Sequence, residues 1–284
     1  MNAAAAAALS NSYWVQCFTG FVAPRDAMPK ARAAALRALA IDDRFAEAHS
    51  SLATVRAAYE WDWPAAEDGF RRALELDPES AVTHRRYATT YLAPLGRLDD
   101  AIGALERATA LGPLSITTNV FLAQMLYMAR RLDAAVRQAR RTLDLDPQCG
   151  PAHLILGLAY LQKSRHEEAA QALRIVETVA TDSTFLRGAL GHCLASAGRV
   201  EEAQRALADL LALSKRRYVP PFDIARVYIG LNDHDRAFAW LVKGFAQRCS
   251  RLIWLNVFPA LDTLRADPRF FVLMKRIGLP IGLP

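Results

Sequence analysis

An alanine that returns at a fixed interval along most of the chain constrains the fold more than any other feature. It stands at Ala31, Ala66, Ala101, Ala135, Ala169, Ala203 and Ala237, with successive spacings of 35, 35, 34, 34, 34 and 34 residues. Seven residues after the second of these begins Ala73-Leu-Glu-Leu-Asp-Pro78, which recurs as Ala108-Thr-Ala-Leu-Gly-Pro113 and Thr142-Leu-Asp-Leu-Asp-Pro147. A worn earlier copy is Ala38-Leu-Ala-Ile-Asp-Asp43. A second ladder holds Ala123, Gly157, Gly191 and Ala225, and a third holds Leu126, Tyr160, Leu194 and Tyr228, both at 34-residue intervals. Three ladders in register identify an internal repeat, the mark of stacked supersecondary units.

Each unit reads as two helices. The ladders place a small residue on each where the pair cross closely, and an apolar residue follows four positions after the alanine: Phe70, Leu105, Leu173, Leu207 or Leu241. That spacing puts both on one helical face. Pairs such as Gly96-Arg97 and Gly198-Arg199 turn the chain within a unit. Asp-Pro ends the second helix, because the residue before proline is pushed out of the helical region. An isolated hairpin of this kind cannot bury its apolar face, so neighbouring units stack into a continuous core. The chain is therefore expected to be all-α, an α-solenoid of about seven units. A single-layer stack is expected to be elongated, with a radius of gyration clearly above the roughly 19 Å of a compact chain this long.

The pattern resembles the tetratricopeptide repeat, best in the unit carrying Leu156, Gly157, Tyr160, Ala169 and Leu173. The resemblance spans roughly residues 12 to 246 and implies a right-handed superhelix whose concave face is lined by the first helix of each unit. On it the units run roughly 12–45, 46–80, 81–115, 116–149, 150–183, 184–217 and 218–249. Residues 1–249 then form the solenoid and 250–284 a C-terminal cap. Two early units carry one residue more than the period, expected around Trp61-Asp62-Trp63 and Ala93-Pro94-Leu95. Longer phrases are similar to the C-terminal repeat regions of bacterial winged-helix regulators, adenylate cyclases and serine/threonine kinases. They are Glu60-Trp-Asp-Trp63, Leu213-Ser-Lys-Arg-Arg-Tyr-Val219 with Pro221, and Leu264-Arg-Ala-Asp-Pro-Arg-Phe270 running to Arg276-Ile-Gly-Leu-Pro280. The upstream modules of those regulators are not in this sequence, which reads as a stand-alone relative or the product of a shortened gene.

The tail departs from the repeat. Asp267-Pro268 reads as a cap with proline at the first helical position, opening a helix through Ile277. Leu252-Ile-Trp-Leu255 and Val257-Phe258 are too apolar for solvent and are expected to cover the end of the last unit.

A search for chemistry returns structural explanations. His166-Glu167-Glu168 begins like a zinc-protease helix, but Ala170 stands where the second histidine would be needed. His49, His84 and His153 share one slot with Asn119 in successive units, which points to packing or hydrogen bonding. Asp233-His234-Asp235 reads as a turn and helix cap. The four cysteines are widely separated and fit a reducing compartment, hence the cytoplasm. No phosphate-binding loop is present, so neither cofactor nor metal is expected. No run is long enough to span a membrane, and Met1-Asn2 with six alanines lacks the features of a signal peptide and reads as a frayed helix start.

The expected function is therefore a non-enzymatic protein- or peptide-binding scaffold, a regulatory or sensor module of bacterial signalling or transcription control. The positions the resemblance turns into the groove include Arg85, Gln124, Tyr127, Leu158, His192, Phe222 and Arg226, in an apolar setting with Val120, Leu154, Leu161 and Phe185. Arg85, Thr89, Val120 and Gln124 do not make the clamp that some relatives use for carboxylate tails. Within that groove, the chain's own Trp254 and Phe258 are the competing occupants. The alternative is a nucleic-acid-binding helical repeat protein, suggested by a net charge of +6. Against it, the basic residues come mostly as pairs, with one triplet at Lys215-Arg216-Arg217, and no base-reading slot repeats.

Overall fold

In a computed structural model, which describes residues 2–179 and 182–281, the chain folds into seven antiparallel helix pairs. They are α1 (Ala3–Thr19) with α2 (Pro24–Ile41), α3 (Ala46–Val55) with α4 (Trp63–Leu76), and α5 (Ala81–Tyr87) with α6 (Leu98–Leu111). Then come α7 (Ile116–Met128) with α8 (Leu132–Leu145), α9 (Gly150–Gln162) with α10 (His166–Val179), α11 (Thr184–Ser196) with α12 (Val200–Ser214), and α13 (Pro221–Gly230) with α14 (His234–Ala246). Two 3-10 turns, Ser250–Trp254 and Pro259–Leu264, lead to α15 (Pro268–Ile277).

The ladders are packing positions. All seven alanines are fully buried. A Cβ added at Gly157 would stand 2.7 Å from Leu173 Cδ2, and one at Gly191 2.8 Å from Val227 Cγ2. The shared histidine slot has one chemical role: His49, His84 and His153 each meet the carbonyl six residues back, at Asp43, Pro78 and Pro147, at 2.7–2.9 Å. Asn119 donates to Pro113 O at 3.0 Å in the same way. Each ties the start of a first helix to the turn that precedes it.

The extra residue of the second and third pairs lies upstream of the place expected for it. It is absorbed inside the first helix, as single π turns over Arg56–Glu60 and Ala88–Leu92. One inserted residue widens a helical turn without shifting either end of the unit. The alanine-rich start is not frayed either. Asn2 caps α1, accepting from Ala5 N at 2.8 Å, and Ala6 and Ala7 are fully buried; Met1 lies outside the described residues.

The expectation of an elongated molecule fails. The accessible surface is 12370 Å², whereas a compact protein of 31.3 kDa exposes about 12,000 Å². The solenoid bends until its ends meet. The α1–α2 loop reaches the far end: Gly20 lies against Pro220, and the Arg217 guanidinium sits 5.5 Å over the Phe21 ring. Arg25 donates to Ala246 O, Trp61 packs on Phe245 at 5.1 Å, and Arg248 lies 4.0 Å over the Trp61 ring.

The tail completes this closure, and the expected cap divides in two. The helix α15 lies on α14 through Arg269, which pairs with Asp235 at 2.8 Å and covers Phe238. It also accepts from the second unit, Trp63 Nε1 donating to Ile277 O at 2.9 Å. Residues 250–264 instead cross the inner face. Trp254 meets Phe18 edge-on at 5.8 Å and Phe121 at 6.4 Å, and its Nε1 donates to Thr89 O at 2.8 Å. The first helices of three separate units thus hold one tryptophan.

Candidate functional site

The inner face divides into what the tail covers and what it leaves open. Under the tail, Phe222 meets Phe258 edge-on at 5.8 Å, and the Arg226 guanidinium lies 4.7 Å over Phe258 and 5.3 Å over Phe185. Both residues are fully buried. Arg251 enters with the tail, ion-pairs with Asp223 and donates to Phe18 O at 3.1 Å, so the first and last units share one buried charge pair.

Beside the tail a cavity of about 450 Å³ remains. Gln124, Tyr127 and Leu158 line it with Val120, Leu154 and Phe185. Of the residues expected in the groove, His192 faces a second cavity of about 230 Å³ together with Leu161 and His166, while Arg85 is half-buried and lines neither. The structure adds wall residues the repeat pattern did not supply: Phe18, Thr19 and Phe21 from the first unit, and Arg251, Trp254 and Phe258 from the tail. The first unit is too degenerate for its register to be read, and nothing in a local motif encodes which end of a solenoid meets the other.

Three buried titratable side chains, His192, Cys17 and Cys193, are held in their uncharged forms near neutral pH. Burial and the adjacent Arg226 hold His192 down to about 4, against a small opposing effect of its 3.1 Å contact with Arg226 O. Burial pushes the Cys17 and Cys193 thiols up to about 12. Among the described residues, no group of three or more His, Cys, Asp or Glu could hold a metal ion. No described helix is long and apolar enough to cross a membrane.

His192 has a measurable consequence. Its folded pKa lies below the ordinary 6.5, so the unfolded chain takes up the proton first. Its effect on stability is therefore a loss that sets in as pH falls below about 6.5 and is complete near 4, worth at most about 3 kcal/mol. Urea midpoints of the native chain are expected to fall more over that interval than those of His192→Gln. Parallel pH profiles would contradict the burial described here.

A family model described as tetratricopeptide repeat matches residues 88–148 and, again one repeat on, 122–182. The match supports the tetratricopeptide family for these repeats. The all-helical fold, with the same pairing before and after the matched stretch, is an α-solenoid consistent with tetratricopeptide units. Solved structures give the same architecture. PilW, a widely conserved type IV pilus biogenesis factor, is 18% identical over 74% of this chain and 92% of its own, at a TM-score of 0.59. A tetratricopeptide repeat protein from Parabacteroides merdae is 10% identical over 95% and 97%, also at 0.59. PilF of Pseudomonas aeruginosa is 16% identical over 96% and 97%, at 0.54. Comparison with curated protein sequences gives no match. At these identities the structural likeness concerns the fold. Tetratricopeptide arrays bind proteins or peptides, and no catalytic family is indicated.

Proposed function

We propose that this chain is a non-enzymatic, regulatory scaffold of bacterial signalling or transcription control that takes a peptide segment of a partner protein on the inner face of its middle units. The observation that carries the reading is that this face already holds a peptide, the chain's own residues 250–264. An apolar anchor, Trp254, is seated among the first helices of three units, and one main-chain carbonyl, Thr89 O, orients it. Burial of an aromatic anchor in a pocket is how a small contact supplies most of a binding energy. Gln124, Tyr127 and Leu158 line the cavity beside that seat, and Phe222 and Arg226 lie beneath Phe258. The regulatory, cytoplasmic setting is part of the proposal and rests on sequence phrases that resemble the repeat regions of multidomain regulators.

Peptide exchange tests this. Within the native chain the tail has the advantage of being tethered. A labelled peptide of residues 250–264 is expected to bind Trp254→Ala or Phe258→Ala at least roughly tenfold more tightly than the native protein. Failure of both variants to bind it, while each keeps native circular dichroism, contradicts the reading.

A further inference from the structure

The tail fills only part of the inner face, and the 450 Å³ that remain lie within the range of small-molecule sites. The walls are largely apolar and come from three parts of the chain: Phe18 at its start, Leu154, Leu158 and Phe185 in the fifth and sixth units, and Trp254 and Phe258 in the tail. An α-helix with its side chains is about 10–12 Å across. With the tail seated, a helix is too bulky for this space, whereas a small molecule fits.

Charge gives the chemistry of the occupant. Arg226 is buried behind the cavity wall and Arg251 is a buried part of that wall, with Asp223 the buried carboxylate against them. Asp223 is engaged by Arg251, and none of the three guanidinium nitrogens of Arg226 has a hydrogen-bond partner among the described residues. The rings that cover Arg226, Phe185 and Phe258, are themselves cavity walls. One positive charge is thus left over in a region of low dielectric, where a nearby negative charge is strongly favoured. Asp182 also lines the cavity but is exposed at its rim, where water and salt screen it.

We propose that the cavity binds a small amphipathic carboxylic acid, its carboxylate on the Arg251 side of the cavity and balancing the charge of Arg226, its apolar body packed between Phe18, Leu158 and Trp254. The site goes beyond the peptide-binding reading and does not depend on it. Since Trp254 and Phe258 are part of the wall, an occupant packs against the tail and holds the ring closed, which makes the site a sensor of such acids.

Calorimetric titration of the full chain with decanoate, below its micellar concentration, tests the assignment. Saturable binding at one site is expected, at least roughly tenfold tighter than 1-decanol. Arg226→Met should reduce that preference to about threefold or less while decanol still binds. Leu158→Trp, or Val120→Trp should the first variant not fold, fills the space and should abolish binding of both. Absence of saturable binding to the native chain overturns the site, as does undiminished binding to a folded filled variant. Decanol binding as tightly as decanoate overturns the choice of an acid.

Discussion

Replacing Trp254 by alanine is expected to destabilise the chain by about 3–5 kcal/mol and to expose its inner face. The indole is almost fully buried, and removing a buried tryptophan side chain costs that much in lost transfer energy and residual cavity. The substitution also strands Thr89 O, which accepts from Trp254 Nε1 at 2.8 Å. The loss is larger than a local one because Phe18, Phe121 and Thr89 belong to three separate units, so one side chain couples the start of the array to its middle. Urea unfolding gives the energy, and binding of a hydrophobic dye reports the opened face. A loss under about 1 kcal/mol without dye binding would mean that the tail is not a working part of the fold.

Two glycines are expected to respond to the same substitution with opposite signs. At Gly188 a Cβ would lie 2.5 Å from Asp223 O and 3.0 Å from Asp223 C, so α11 and α13 touch through their main chains. Neither can yield as a flexible side chain would. Gly188→Ala is expected to cost about 3 kcal/mol, the upper part of the range for overpacking. It would also displace Asp223 from Arg251 and so disturb the tail. Gly103, exposed within α6, has nothing within 4 Å of its added Cβ. There alanine removes only backbone freedom, and Gly103→Ala should stabilise by up to about 1 kcal/mol. Thermal or urea midpoints that move in the same direction for both would contradict the packing at α11 and α13.

These contrasts show what is legible in the sequence. The alanine and glycine ladders are visible because a helix crossing admits only a small residue, and the crossing recurs in every unit. The left-handed residue of each inner turn is far less visible. From the third pair onward it falls at Gly96, Arg130, Ser164, Gly198 and Asn232, again 34 residues apart, yet only two of these five are glycines. The period locates the rest, whereas residue type alone does not. The π turns were legible as an excess of one residue but not in position, because an inserted residue can be absorbed anywhere between two fixed caps.

The candidate site was legible only in part. Gln124, Tyr127 and Leu158 follow from the repeat register, since a first-helix position in one unit predicts its equivalents in the others. Phe18, Phe21 and Arg251 do not, because they reach the cavity only through closure of the ring. Closure depends on the small rotation between successive units summed over the whole array. No single residue carries it, and a small error per unit leaves the ends far apart. Trp254 and Phe258 announced themselves as too apolar for solvent; their seat on the inner face depended on that same closure.

Small-angle X-ray scattering of the monomeric full-length chain tests this closure most directly. The account predicts a radius of gyration of about 19–20 Å, that of a compact protein of this length. A value larger by roughly 5 Å or more would describe an open solenoid and contradict it.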